Sequence, residues 1–278
     1  MELIVITLAS LLMSTAIFIF FVVKGGFNRK YLYTDNIYLG IATTGISILL
    51  CYTINIPFWL LMPFITGGIV LILFYFLYRY RFYRNPKRKI PGDKDDIVSG
   101  ADGRVIYIRE LGKDQIPISV KKLRISNIEE ITKTDILKQP CYLIGIAMTL
   151  FDVHINRAPI DGEIKLVKHT PGSGPTLGLN TPVSTIQNER NTVVIRRNDG
   201  IMAGIVQIAA KRVDRCIITA NEGEQVQRGQ IIGKIRWGSQ LDMIIPRNSA
   251  VFVREGEQVH AGSTIIARYN EELEENNK

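Results

Sequence analysis

The chain has 278 residues, enough for one large or two modest domains, with 46% hydrophobic residues and a formal net charge of +8. Three cysteines without CxxC spacing (Cys51, Cys141, Cys216) argue against a disulfide framework, and three histidines without HxxxH or similar spacing (His154, His169, His260) argue against a metal site. The basic excess comes with no helix-turn-helix, zinc or aromatic-platform pattern, so no nucleic-acid partner is expected.

The long apolar runs are concentrated in the first 80 positions. Residues 3–23 carry no charge and, at about 1.5 Å per residue, can cross the hydrocarbon core. Glu2 before the run and Lys24-Gly25-Gly26 after it do not make a signal peptide, so a retained helix is expected. Residues 37–54 and 57–78 are two further apolar runs, and the Asn55-Ile56-Pro57 break between them predicts a tight helical hairpin. Segment 79–89, RYRFYRNPKRK, carries six Lys or Arg and no acid. Beside a span it would anchor to anionic membrane lipids, each charge contributing roughly 1 kcal/mol. With three spans, Lys24, Arg29 and Lys30 fall on the same side as this cluster, and the positive-inside rule makes that side cytoplasmic. Residues 1–80 are thus expected to be a membrane anchor of about three transmembrane helices. Residues 81–278 are expected to form the functional domain, on the cytoplasmic side of the cell membrane.

From Ile90 the texture changes to short β-branched runs between Gly, Pro and Asn-Asp turns, at 104–108, 142–147, 163–167, 192–196, 201–209 and 216–219. That pattern predicts a β-rich domain with few helices. Residues 119–138 are more polar and read as a helix or an excursion, and 271–278 as a solvated tail. EGEQV occurs at Glu222 and again at Glu255, each copy with a Gly three residues after the Val. Each copy is expected to be one β-hairpin of two quasi-equivalent halves, similar to the sandwiched hairpins of lipoyl- and biotinyl-type domains. The expected fold class is N-terminal transmembrane helices followed by a β-rich α+β domain with lipoyl-like (barrel-sandwich) hairpin repeats.

Four polar clusters lie in or beside the predicted strands: Ser99–Gly103, Phe151–Pro159, Asn188–Asn191 and the pair Gly238–Ser239. Singly, Asp102-Gly103 is a common turn, His154 a satisfied core histidine and 188–190 a surface ion pair. Together they supply a serine, a histidine and acids. Asp152 and His154 are two apart and would share one face of an extended segment, where the acid would orient the imidazole for proton transfer. Gly238–Ser239 is hemmed in by Trp237 and Leu241, unlike a surface turn. A serine at a strained bend can attack the preceding carbonyl, and glycine leaves that carbonyl open. The residues leave open a serine hydrolase, although the G-x-S-x-G elbow is absent, and a self-processing protein whose serine becomes its cofactor. A third reading is a non-enzymatic lipoyl-like adaptor of a membrane complex.

Phe82–Arg88 (FYRNPKR), Ser99–Val105 (SGADGRV), Phe151–Ile164 (FDVHINRAPIDGEI), Asn188–Arg190 (NER), Val206–Ala210 (VQIAA) and Ile235–Pro246 (IRWGSQLDMIIP) resemble, in order, the short-form phosphatidylserine decarboxylases of bacteria and archaea. The resemblance implies a proenzyme that cleaves itself between Gly238 and Ser239 into a β-chain, 1–238, and an α-chain, 239–278, which stay together as a heterodimer. It implies that Ser239 becomes a pyruvoyl cofactor whose carbonyl condenses with the amine of a serine phospholipid and accepts electrons as CO2 leaves. By motif, Asp102 is linked to self-cleavage and His154, in the D-x-H motif with Asp152, to decarboxylation. Gly100 stands where the family usually has Pro. Arg157 stands where the long forms carry a second histidine, so a histidine triad for cleavage does not carry over. Ester or ether lipids, and a homo-oligomer, are all compatible with these motifs. On the expected topology, a cysteine introduced near Asp96 should not be labelled by an impermeant thiol reagent from outside intact cells, and clear labelling would reverse the orientation.

Overall fold

The computed structural model describes residues 2–25, 28–54, 64–112, 118–119, 124–125, 140–173, 188–209, 216–236 and 239–270. The chain divides into two compact units, Met1–Arg84 and Asn85–Lys278. The first holds α1 (Glu2–Gly25), α2 (Lys30–Tyr33), α3 (Asp35–Ile54) and α4 (Thr66–Tyr83). Among the described residues two helical stretches, Leu3–Lys24 and Lys30–Ile54, are long and apolar enough to cross a membrane. Residues 57–63 of the third predicted run lie outside the described residues. α4 continues past Tyr78, which places Arg79 and Arg81 within the helix rather than after it. Leu12, Phe20, Val23 and Leu49 are exposed, apolar surface that a unit surrounded by water would cover. The helices instead meet through polar and small residues: Ser14 Oγ donates to Asn36 Oδ1 at 2.6 Å, Asn36 Nδ2 to Thr15 Oγ1 at 2.8 Å, and Leu11 packs on the bare Cα of Gly40. This is how helices associate where lipid removes the hydrophobic drive between them, and it marks a membrane-associated unit.

The second unit is a curled, mostly antiparallel half-barrel. Its strands are β1 (Asp96–Val98), β2 (Gly103–Leu111), β3 (Ile118–Ser119), β4 (Arg124–Ile125), β5 (Cys141–Met148), β6 (Ile155–Arg157), β7 (Gly162–Ser173), β8 (Asn188–Arg196), β9 (Met202–Ala209), β10 (Cys216–Ile218), β11 (Gln225–Val226), β12 (Ile231–Ile235), β13 (Ser239–Pro246), β14 (Ser249–Val251), β15 (Gln258–Val259) and β16 (Ile265–Tyr269). Eight of them form one sheet in the order β11-β7-β8-β9-β13-β5-β2-β15, with three-stranded sheets β1-β16-β14 and β10-β12-β6 beside it. β5, β9 and β13 are buried along nearly their whole length, polar Gln207, Gln240 and Asp242 included, because both faces of the sheet are covered. Ile144, Ile146, Leu241, Met243 and Ile245 enter the larger core on one face, and Leu143, Val206, Ile208 and Ile244 the smaller core on the other. Most of the predicted excursion at 119–138, and the tail at 271–278, lie outside the described residues.

The two halves of this unit repeat each other. The eight-stranded order maps onto itself when β11 exchanges with β15, β7 with β2, β8 with β5 and β9 with β13, and the three-stranded sheets exchange likewise. Gly229 N to Ala158 O and Gly262 N to Ser99 O are both 2.8 Å; Ile164 N to Glu224 O and Val105 N to Glu257 O are both 2.9 Å. The glycines of the EGEQV copies match too, Gly223 and Gly256 at φ 82° and 88°, Gly229 and Gly262 at φ 78° and 74°, a region open to glycine. The copies are not the expected hairpins. In each, the two strands belong to different sheets: β11 pairs with β7, while β12 pairs with β10 and β6. The amides of the turn between them, Arg228 and Gly229, bond to Asp161 and Ala158 outside the copy, so no register is left for self-pairing.

Among the described residues the repetition breaks where β13 begins. β8 and β9 are joined by a tight turn closed by Arg197 N to Ile201 O at 2.8 Å. β5 and β13 end at the same level, Met148 opposite Ser239. There, however, the chain leaves β5 toward Thr149–His154, and β13 is entered from elsewhere. By register Ser239 occupies the position of Ile201 in the other half.

Gly162 (φ 146°) and Gly103 (φ 154°) are equivalent, and a side chain at either would collide with a carbonyl of the neighbouring strand, Arg196 or Ala147. Gly162→Ala should therefore cost about 2 kcal/mol or more, read as a lowered Tm of the purified full chain; melting with the parent would show that these turns tolerate a side chain.

Candidate active site

Asp102, 2% exposed, lies in the turn before β2. Arg88 Nη2 donates to both its carboxylate oxygens at 2.7 and 2.6 Å, Ala261 N donates to Oδ1 at 2.8 Å, and His260 Nδ1 lies 3.4 Å from Oδ2. Burial pushes this carboxyl up, but the His260 contact, the Arg88 charge and the Ala261 N–H outweigh it and hold it below the usual range. Asp152 goes the other way. Burial raises it despite hydrogen bonds from Thr149 and Gln258, and the Asp102 charge adds to the rise. The second EGEQV copy thus touches both acids, Gln258 Nε2 reaching Asp152 Oδ1 at 3.1 Å while His260 and Ala261 reach Asp102. Two neighbouring carboxyls with affinities driven apart can divide proton acceptance and proton retention between them.

His154 is buried and follows Asp152 in the connection from β5 to β6. The spacing of the two predicts that they meet through the carboxylate on an extended segment. Instead Thr149–Val153 is a turn, in which Thr149 N and Oγ1 each bond Asp152 Oδ2 at 2.7 Å, and His154 Nδ1 faces the backbone carbonyl of Asp152 at 2.9 Å. A carbonyl only accepts, so Nδ1 carries the proton and Nε2 is the basic nitrogen. Arg157 donates to Gly229 O at 2.7 Å and Asn85 Oδ1 at 2.8 Å, and burial together with the neighbouring Arg88 lowers its guanidinium. Gly100 donates its N–H to Met243 Sδ at 3.4 Å, a contact that a proline could not make.

Ser239 opens β13, its backbone paired with Met148 of β5 and Ala209 of β9; Gly238 and Trp237 lie outside the described residues. On the strand's other parity, Gln240 Nε2 donates to Asp242 Oδ1 at 2.6 Å and to Tyr107 Oη at 2.8 Å, and Tyr107 Oη donates to Asp242 Oδ1 at 2.7 Å. Tyr107 gets there because a bulge at Ile106 turns it onto that face and Gly145 leaves room for its ring. Burial pushes the Asp242 carboxyl up to about 6, against the Gln240 and Tyr107 bonds and the charge of Arg190.

Asn188, Glu189 and Arg190 are buried rather than a surface ion pair. Asn188 Nδ2 holds Ala209 O at 2.7 Å, and Glu189 Oε1 accepts from Cys216 N at 3.2 Å. A chain that links three of the motifs runs from Gly100 O through Asn156, Gln207 and Asn191 to His169, which stands outside them, with contacts of 3.5, 2.8, 3.2 and 2.7 Å. Gln258 and His260 likewise stand in none of the recognised motifs. No signal in the sequence points to them: Asp102-Gly103 and Asp161-Gly162 lie at unequal distances from the EGEQV copies they meet, and only the fold makes the two relations alike.

A family model described as phosphatidylserine decarboxylase matches residues 76–267. Over 193 residues, 69% of this chain and 89% of the relative, the sequence is 41% identical to a Methanocaldococcus jannaschii protein designated an archaetidylserine decarboxylase proenzyme. Over 188 residues, 68% of this chain and 78% of the relative, it is 33% identical to the phosphatidylserine decarboxylase proenzyme of Syntrophus aciditrophicus. Over 211 residues, 76% and 81%, it is 33% identical to that of Ralstonia nicotianae.

The raised carboxyl of Asp242 makes a prediction about stability. The folded state keeps the proton to about pH 6, whereas the unfolded value is 3.8. Stability is therefore greatest below that lower value and is lost as pH rises toward 6, by on the order of 3 kcal/mol. Asp242→Asn should gain stability relative to the parent as denaturation is measured first at pH 4.5 and then at pH 7. Parallel curves would show that this carboxyl does not titrate differently on unfolding.

Proposed function

The chain belongs to the phosphatidylserine decarboxylase family, and on that premise we propose that it cleaves itself between Gly238 and Ser239 and uses the resulting pyruvoyl group to decarboxylate a phosphatidylserine-type lipid. What supports this above all is the backbone position of Ser239, at the one end of the sheet where the internal repetition opens and the Asp152–His154 segment begins. A chain end made there would stay in place, because residues 239–246 remain paired to β5 throughout and to β9 over most of their length.

In the proposed cleavage Ser239 Oγ attacks the Gly238 carbonyl carbon, the amide C–N bond breaks and an ester forms. Loss of the Ser239 Cα proton expels Gly238 as a carboxylate and leaves dehydroalanine, and water then replaces its nitrogen, which departs as ammonia. Asp102, kept ionised, is assigned to accept a proton in this step. The pyruvoyl group would supply the carbonyl that holds the substrate amine and takes up the electron pair released with CO2. His154 is assigned to move the proton through Nε2, its ring fixed by the Asp152 carbonyl. Asp152, sealed by Thr149 and Gln258, shapes that turn. The apolar helices fit a substrate whose acyl chains stay in the bilayer, and the basic segment 79–89 fits anionic lipid at a cytoplasmic surface, with the apolar run 57–78 as a third span.

The chain contains a decoy, Gly262–Ser263. There Ser263 N bonds His260 O at 3.1 Å in a tight turn, equivalent to Gly229–Gln230 of the first copy. Ser239→Ala should remain one inactive chain, whereas Ser263→Ala should split normally. His154→Ala should lose lipid decarboxylation. Intact mass of the parent should show a small fragment starting at position 239 and lighter by one ammonia than the free-serine peptide. A fragment starting at 263, or a serine hydrolase activity in an unsplit chain, would overturn the assignment.

A further inference from the structure

The repeated halves of the sheet unit act as each other's control. Asp161 and Asp102 occupy equivalent turns and both accept the amide of an EGEQV copy at 2.8 Å, from Arg228 and from Ala261. Among the described residues, that amide is the hydrogen-bond partner of Asp161. Asp102 has two additional partners, Arg88 and His260. Arg88 brings a permanent charge. His260 stands where the first copy has Gln227, so at this position an amide has been exchanged for an imidazole, which can take up a proton where an amide cannot. The two members of the pair also differ in access: Asp102 is 2% exposed and the His260 side chain 46%. The imidazole is in contact with water on behalf of a carboxylate that is not.

We propose that His260 is a positioning residue for Asp102, holding the carboxylate as a proton acceptor when neutral and weakening it when protonated, so that chain cleavage slows as pH falls. The inference rests on the reading that Asp102 serves cleavage. With the ring neutral, the carboxylate requires a proton on Nδ1, which leaves Nε2 to exchange with solvent. Protonation adds a second cation beside Asp102 and stabilises the anion, which makes it a weaker base. The charged groups around the imidazole are Asp102 and Arg88 from the segment before β2, Arg104 on β2, Arg157 on β6, whose Cδ packs toward Gly262, and Asp152 through Gln258. Of these, Asp152 is the other carboxyl that burial pushes up, and a limb due to it would survive changes at position 260.

The test is cell-free synthesis of the full chain into vesicles, with splitting followed on gels from about pH 5.5 to 7.5. The parent rate should fall by about tenfold from the upper to the lower end of that range. His260→Gln installs the residue the equivalent turn already carries, and His260→Asn keeps a donor near the Nδ1 position without titrating. Both should flatten the ratio of rates to less than about twofold. A parental fall in either variant overturns the proposal, as does loss of fold in both, which would make the role structural. Asp102→Asn, run alongside, separates the two claims. If it blocks splitting while the His260 variants keep the parental profile, the inference alone fails. If it splits like the parent, the assignment of Asp102 to cleavage fails, and the inference with it.

Discussion

The buried carboxylate of Asp102 is the point on which the sheet unit depends. An ionised group at 2% exposure needs its charge and lone pairs matched, and here Arg88, the Ala261 amide and His260 match them from distant parts of the chain. Withdrawing one partner of such a pair costs about 3–5 kcal/mol, because the other charge is left buried and unpaired. The same contacts set the chemistry. They keep Asp102 ionised, and its charge helps drive Asp152 toward its protonated form. The segment Gln258 to Ala261 therefore bonds to both acids although its residues lie beyond Ser239.

The duplicated architecture explains where the site is. Two copies of one strand arrangement close most of the unit on itself, and the turn that seals β8 to β9 at Arg197–Ile201 has no counterpart between β5 and β13. That opening leaves Ser239 at a strand start with a connection beside it long enough to carry Asp152 and His154. Around it, residues that pack in one half have become polar in the other. Leu166, Met202 and Gly204 correspond by register to Tyr107, Gln240 and Asp242. The scaffold tolerates this because the polar trio satisfies itself internally, leaving only Asp242 Oδ2 of the three without a partner among the described residues.

Much of this architecture is legible in the amino-acid sequence. Short β-branched runs between turn residues locate β2, β5, β8 and β9, uncharged stretches locate α1 and α3, and the EGEQV pair announces two related halves. The ordered motifs point to the family, because each couples a glycine or an apolar strand to a polar group in a fixed local pattern. What they misjudge is also local. The EGEQV copies read as hairpins because nothing within them shows that Arg228 and Gly229 bond to Asp161 and Ala158 instead. Asp152 and His154 read as an acid–imidazole pair because spacing two implies a shared face only on an extended backbone, and Thr149 draws that backbone into a turn.

The local elements, the family and the chemistry proposed for Ser239 belong to the amino-acid sequence, since each follows from neighbours a few positions apart. The partners of Asp102 belong to the tertiary structure. Arg88 stands fourteen positions before it and His260 one hundred and fifty-eight after it, separations over which no periodicity or motif carries information. Only when β15 pairs with β2 does the second EGEQV copy arrive at the turn that holds the acid. Burial then decides which carboxyl stays charged, and burial is a property of the closed sheet, because a residue's distance from water is set by all that packs over it.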